Sequence, residues 1–163
     1  MLQVNLREGA VTGLLGAAGV AGWFLVVDAV AGHPLFTPNA LGGMVFRALG
    51  AEVGPPEAIN GAVVAGYTLI HCALFVLVGV IASFIVRAGE SQPAVLALFM
   101  VLFAIIEMGF YGATAVLDNT GALGRMAWWQ IAGGNLVATL LMGFYLFRRH
   151  PGIRERLDYA LSR

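Results

Sequence analysis

Residues 9–30 read GAVTGLLGAAGVAGWFLVVDAV, an apolar run that carries no charge before Asp28. As an α-helix, a run of this length can cross about 30 Å of hydrocarbon. Small residues recur in it at helical spacing: Gly9, Gly13, Gly16, Ala17 and Ala21. In lipid such a stripe allows two helix backbones to approach closely, so the run predicts a membrane helix packed tightly on a partner. The partner can be another span of this chain, a second copy or another subunit.

The same glycines could also suggest a phosphate-binding loop. That interpretation fails because no strand precedes them and their spacing does not match a nucleotide-binding motif. A secretory signal peptide is a further alternative, since Ala29-Val30-Ala31 resembles a cleavage site. The apolar run is too long for a signal-peptide core, so we expect the segment to be retained.

The composition of the whole chain agrees with a membrane protein. Of its 163 residues, 60% are hydrophobic and 11% are charged, whereas soluble domains average about 25% charged residues. All nine basic residues are arginine, and they form no diffuse basic surface for nucleic acid. The one cysteine, Cys72, excludes an internal disulfide and a CxxC site. We expect a single membrane domain.

Three further apolar runs follow the first one along the chain. They cover residues 58–86, 94–117 and 126–147, and each is long enough to span a bilayer. Backbone polar groups in lipid must pair within their own segment, and the runs do not alternate as barrel strands do. The sequence therefore predicts an all-α fold, an integral membrane four-helix bundle.

The arginines predict how the bundle is oriented. Four spans place seven of them on one side: Arg7, Arg87, Arg148, Arg149, Arg154, Arg156 and Arg163. Only Arg47 and Arg125 fall on the other side. By the positive-inside rule, we expect both termini to be cytoplasmic, with a cytoplasmic tail at 148–163. We expect the membrane itself to be a bacterial inner membrane.

The first outer loop, residues 31–57, is the only long one. Thr37 followed by Pro38 suggests a helix N-cap. The apolar residues after it share one helical face: Leu41, Met44, Val45, Ala48 and Leu49. They predict a short amphipathic helix that lies on the outer membrane surface or caps the bundle. A packed connector is its simplest role, and a lid or partner-docking element is the alternative.

Polar side chains occur near the centres of three predicted spans. They are His71, Glu107 and Asn135, and each shares a helix face with apolar or aromatic neighbours. Tyr67 precedes His71 by one turn, and Tyr111 follows Glu107 by one turn. If all face inward, these residues form one polar layer at the bilayer midplane. The layer can be a structural staple between helices, a proton or ion path, or, if Glu107 faces outward, a contact with a partner subunit.

The state of Glu107 allows two interpretations. A charge at this depth costs at least about 2.5–3.5 kcal/mol. The acid can be protonated and hydrogen-bonded to His71 or Asn135, or it can form an ion pair with His71. We favour the neutral form because buried ion pairs often fail to recover their desolvation cost.

No catalytic or metal-binding motif occurs in the sequence. His71 and Cys72 are adjacent and point about 100° apart on a helix, so they cannot readily share one ion. One histidine and one glutamate are too few for a zinc or di-iron site, and we expect no metal and no cofactor. His33 and His150, each followed by proline, are predicted to be solvated loop residues. No serine has a local histidine and acid around it, so an enzyme has little support.

Two stretches carry a resemblance: WFLVVDAVAGHPLFTPNALG at 23–42 and WWQIAGGNLVATLLMGFYLFRRHPGIRERL at 128–157. They resemble parts of uncharacterised small four-span bacterial membrane proteins. The resemblance implies a four-span membrane fold and carries no activity, cofactor or site residue.

Two functions remain open at this point. The first is a non-catalytic accessory or scaffolding subunit that packs against other membrane helices or against a second copy of the chain. The alternative is a small carrier or proton-handling protein that uses the midplane layer. A membrane enzyme is a third, less supported class.

Overall fold

The computed structural model describes residues 6–91, 104, 107–108, 111–112, 115–116 and 128–152. Four helices have continuous bounds in it: α1 (Leu6–Val30), α2 (Phe36–Ala48), α3 (Gly61–Ser91) and α4 (Trp128–Arg149). Three of them, α1, α3 and α4, are long and apolar enough to cross a membrane. The prediction of an all-helical membrane bundle is confirmed. The expected span at 94–117 falls mostly outside the described residues, although those described between 104 and 116 are helical.

Helix α3 begins at Gly61, three residues later than the apolar run that predicted it. Its start is fixed by Asn60, whose Oδ1 accepts hydrogen bonds from the backbone N–H groups of Ala62 (3.0 Å) and Val63 (3.3 Å). A side-chain oxygen at the N-cap satisfies donors that have no partner within the first helical turn. Hydropathy alone does not detect this boundary.

Helix α1 lies between α3 and α4, and the glycine stripe explains its contact with α3. A Cβ atom placed on Gly9 would lie 2.5 Å from the Cα of Val80, and one on Gly13 would overlap the carbonyl oxygen of Phe75. From the other side, a Cβ on Gly79 would overlap the backbone of Gly9. The two helices thus touch backbone to backbone, as small-residue stripes permit in lipid.

The contact of α1 with α4 uses the next part of the stripe. A Cβ on Gly16 would lie 2.5 Å from the Sδ of Met142. Further along, the Nε1 of Trp23 donates to the backbone oxygen of Gln130 (2.7 Å), and its ring lies against Gly133. Ala17 is buried, whereas Ala21 is exposed. The stripe is therefore used within this chain over most of its length.

Helices α3 and α4 both run antiparallel to α1. The start of α1 lies beside the ends of α3 and α4, because Glu8 contacts both Ser83 and His150. Helices α3 and α4 consequently run parallel to each other. Their backbones approach at few points, but their side chains meet in a buried cluster formed by Ala82, Val86, Met142 and Leu146. The chain leaves α3 at the Glu8 end of the bundle and enters α4 at the opposite end.

The prediction that Thr37 caps α2 is wrong. The helix begins at Phe36, after Leu35 in a left-handed conformation (φ 68°). The capping oxygens come from Asp28, which accepts hydrogen bonds from the backbone N–H and the hydroxyl of Thr37, both at 2.8 Å. Because Asp28 belongs to α1, no local sequence pattern around Thr37 reveals it.

The expected amphipathic helix in the first loop is present as α2, but its face differs from the predicted one. Leu41 and Met44 are buried, and Val45 is half-buried. Ala48 and Leu49, the last two of the predicted face, are exposed. The apolar periodicity continued beyond the part of the helix that packs on α3.

Candidate functional site

Part of the predicted midplane layer is brought together in the structure. The Nδ2 of Asn135 donates a hydrogen bond to the Oε1 of Glu107. Both side chains are half-buried, and Asn135 is joined one turn later by Thr139, whose hydroxyl donates to the Asn135 carbonyl (2.7 Å). Tyr111, one turn beyond Glu107, is exposed. Glu107 thus has an amide donor from α4 in a region of the bundle that is otherwise apolar.

His71 lies elsewhere, in the contact between α3 and α1. Its Nε2 is 3.3 Å from the carbonyl oxygen of Ala17, a distance at which the protonated nitrogen donates. Its ring is stacked on Tyr67 (centroids 5.6 Å apart) and tilted against Phe75 (4.7 Å). Among the described residues, the structure records no hydrogen bond from His71 to Glu107 or Asn135. His71 therefore contacts α1, while Glu107 contacts α4.

A second polar cluster, which the sequence analysis did not single out, surrounds Glu8 near the start of α1. The carboxylate accepts hydrogen bonds from Ser83 Oγ (2.5 Å), His150 Nε2 (2.9 Å) and Arg87 Nη2 (3.0 Å). Glu8 is 7% exposed, Ser83 1% and His150 6%. We call these four residues the Glu8 cluster.

The donors of the Glu8 cluster come from two other parts of the chain. Ser83 and Arg87 stand one turn apart on α3, so they face the same side. His150 directly follows the last residue of α4. A buried carboxylate is tolerated only when it is paired and hydrogen-bonded, and here the charge of Arg87 and two further donors provide this. The cluster thereby fastens α1, α3 and α4 to one another at one end of the bundle.

The prediction that His150 is a solvated loop residue is wrong. The imidazole is buried and hydrogen-bonded to Glu8, although the two residues are 142 positions apart in the sequence. His33, in contrast, is exposed as expected. One signal was available in the sequence: Glu8, Arg87 and His150 all stand at predicted span ends on the same side of the membrane. A buried contact of Glu8 with Arg87 and His150 would have been a reasonable prediction from these positions.

The Glu8 cluster does not have the arrangement of a nucleophilic triad. In such a triad the histidine takes the proton of the serine, and the acid orients the histidine from its far side. Here the hydroxyl of Ser83 and the Nε2 of His150 both point at the same oxygen, Glu8 Oε1. Ser83 is also fully buried, so a substrate has no access to it. The geometry supports cohesion between helices and not acyl transfer.

Metal ligation was tested on the described part of the chain. Within those residues, no group of three or more histidine, cysteine, aspartate or glutamate side chains could hold an ion. The carboxylate of Asp28, at the other end of α1, has both oxygens occupied by Thr37.

Comparison of the chain with protein families, with curated proteins and with solved structures finds no match.

Proposed function

We propose that this protein is a non-catalytic integral membrane protein that acts as an accessory or scaffolding subunit, packing against other membrane helices. One observation carries the proposal. Helix α1, on which α3 and α4 both pack, keeps an outward face on which Ala18, Ala21 and Gly22 are exposed between Leu14 and Leu25. Among the described residues, nothing lies within 4 Å of a Cβ placed on Gly22.

This outward patch has the same kind of surface as the inner face of α1. On the inner face, Gly9 and Gly13 are in backbone contact with α3. In lipid, helix association depends on close van der Waals packing, which small residues make possible. Ala18, Ala21 and Gly22 offer such a surface to a helix from outside the described part of the chain. A second copy of this chain and a different subunit are both compatible with it.

A matched pair of variants tests the proposal. Gly22→Leu fills the patch, and Gly143→Leu fills an equally open glycine position on α4. We expect complexes extracted into native nanodiscs to lose their partner in Gly22→Leu and to keep it in Gly143→Leu. Isolated monomer for the unmodified protein, under extraction that preserves known membrane complexes, contradicts the proposal. Equal loss in both variants contradicts the choice of patch.

The proposed location is a bacterial inner membrane, with both termini cytoplasmic. Its support is the distribution of arginines among the described residues. Arg7, Arg148 and Arg149 lie at the end of the bundle that holds the Glu8 cluster, and Arg47 lies at the other. A C-terminal fluorescent-protein fusion should be bright, and alkaline phosphatase inserted within residues 50–58 should be active. The reverse pattern contradicts this orientation.

The hydrogen bond between Glu107 and Asn135 favours a second candidate, a small carrier or proton-handling protein. Ionisable groups within membrane spans commonly mark transport paths. Proton flux into vesicles should then be lost in Glu107→Gln and kept in Thr139→Ala, which changes a neighbouring polar residue. Unchanged flux in Glu107→Gln removes the support for this candidate.

A further inference from the structure

The direction of α2 can be determined from its contacts with the start of α3. The Oδ1 of Asn39 accepts from the backbone N–H of Asn60 (3.0 Å). Further along α2, Gly42 lies against Val63, and the ring of Phe46 lies against Gly66. Later residues of α2 thus meet later residues of α3. The helix runs alongside the first turns of α3, in the same chain direction, and not flat across the end of the bundle.

The contacts also give the depth that α2 reaches. Asn60 lies at the end of the bundle where Trp128, 74% exposed, begins α4. Tryptophan side chains prefer the membrane interface. Gly66 is about six residues past Asn60, which is about 9 Å along a helix axis. The headgroup region on each side of a bilayer is about 5–7 Å thick. The end of α2 therefore reaches the boundary between headgroups and acyl chains.

Side chains of α2 bond to three backbone carbonyl groups of the segment that returns from α2 to α3. The Nδ2 of Asn39 donates to the carbonyl oxygens of Pro56 (2.9 Å) and Ala58 (3.2 Å). The Nη1 of Arg47 donates to the carbonyl oxygen of Gly54 (3.2 Å). Non-helical backbone is tolerated at membrane depth only where its polar groups are bonded within the protein or to water in a cavity. The bonds from Asn39 and Arg47 meet this condition for these three carbonyl groups.

The side chains at the far end of α2 are suited to lipid. Leu49 is 75% exposed and follows Ala48, which is also exposed. Gly50, with a φ of 86°, then turns the chain back. Charged side chains close by, Arg47 and the exposed Glu52, limit how deep the turn can go, since charge is tolerated at the interface and costly at the bilayer centre.

We propose that α2 and the turn after it form a re-entrant element that enters the leaflet on the Trp128 side, with Leu49 in contact with acyl chains. The proposal depends on the membrane bundle and is independent of the accessory role. The occupant of this surface is lipid, because Leu49 is apolar and exposed and closely follows Phe46, whose ring reaches the depth of Gly66.

Site-directed spin labelling of the full chain, in vesicles of phosphatidylcholine and phosphatidylglycerol, tests the proposal. Cys72→Ala provides the background, and the label is placed at Leu49→Cys. His33→Cys, in the exposed turn between α1 and α2, is the shallow control, and Leu140→Cys, exposed near the middle of α4, is the deep control. Accessibility to oxygen relative to a water-soluble nickel chelate measures the depth.

We expect the Leu49 label to be deeper than the His33 label and shallower than the Leu140 label. A Leu49 label at the depth of His33, or closer to water, overturns the proposal. A Leu49 label shielded from both reagents also overturns it, because a protein and not lipid then covers the turn. Ala48→Cys repeats the measurement if Leu49→Cys does not give a folded protein, as judged by circular dichroism.

Discussion

The Glu8 cluster and the pair of Glu107 with Asn135 are two solutions to the same problem, a carboxylic acid in an apolar bundle. Glu8 has three donors from two other segments, one of them a guanidinium, and is almost fully buried. Within the part of the chain that the structure describes, Glu107 has one amide donor, and it is half-buried.

The difference indicates different roles for the two acids. A fully satisfied carboxylate is fixed in place and stabilises the helices that supply its donors. An acid with a single neutral donor holds fewer segments of the chain together, so its loss has less effect on the fold. We therefore expect substitutions of Glu8 to lower the free energy of unfolding most, and substitutions of Glu107 to lower it least.

The largest expected effect is that of Glu8→Ala. The substitution leaves Arg87, Ser83 and His150 without this acceptor inside the bundle, and breaking a buried pair costs about 3–5 kcal/mol. The free energy of unfolding in bicelles, measured by steric trapping, should fall by that amount. Arg149→Ala, which removes an exposed arginine near the same end, is the control and should change little. A loss below about 1 kcal/mol for Glu8→Ala would show that the two acids do not differ.

His150→Ala should have the next largest effect. Glu8 keeps Ser83 and Arg87 in this variant but loses one buried donor, which costs about 1–3 kcal/mol. The same unfolding measurement applies. His150→Gln, which retains an N–H donor, should recover part of the loss. If His33→Ala destabilises the protein as much as His150→Ala does, the burial of His150 is not the cause.

Asn135→Ala tests the other side of the comparison. Hydrogen bonds between membrane helices contribute about 0.6 kcal/mol on average and at most about 1.7 kcal/mol. We expect a loss within that range and below that of His150→Ala. Thr139→Ala, whose hydroxyl bonds to the backbone of its own helix, is the matched control. An Asn135→Ala loss as large as that of Glu8→Ala would make the pair a second structural cluster.

Glu107→Gln should have the smallest effect on stability. The amide oxygen of the new side chain can still accept from Asn135, so we expect a change within about 0.5 kcal/mol. Glu8→Gln provides the direct comparison, because it removes the negative charge that forms the ion pair with Arg87. Equal destabilisation by the two substitutions would contradict the different roles assigned to the acids.

The sequence was sufficient to predict the helical membrane fold because hydropathy depends on composition along one segment. The Gly9 and Gly13 spacing also predicted close helix packing, although not which helix would be the partner. Which helix packs against this face depends on how all the helices of the bundle assemble. The same limit explains why Asp28 was not identified as the cap of α2, since the acid and Thr37 belong to different helices.

The candidate site was predictable only in part, and for a related reason. Polar residues at the centres of spans attract attention, so Glu107 and Asn135 were identified from their position in the sequence. Glu8 and His150 lie at span ends, where charged residues are expected to meet water. Their burial depends on how the ends of α1, α3 and α4 converge, and periodicity within one helix does not contain that information.

The central position of α1 has a consequence for biosynthesis. The helix that is translated before α3 and α4 is also the one on which both of them pack. Until residues 61–91 leave the ribosome, the Gly9 and Gly13 face has no partner from this chain, and Glu8 lacks Ser83 and Arg87. Quality-control proteases and insertion factors would meet α1 in this unassembled state, so the nascent chain should be most vulnerable between synthesis of its first and second spans.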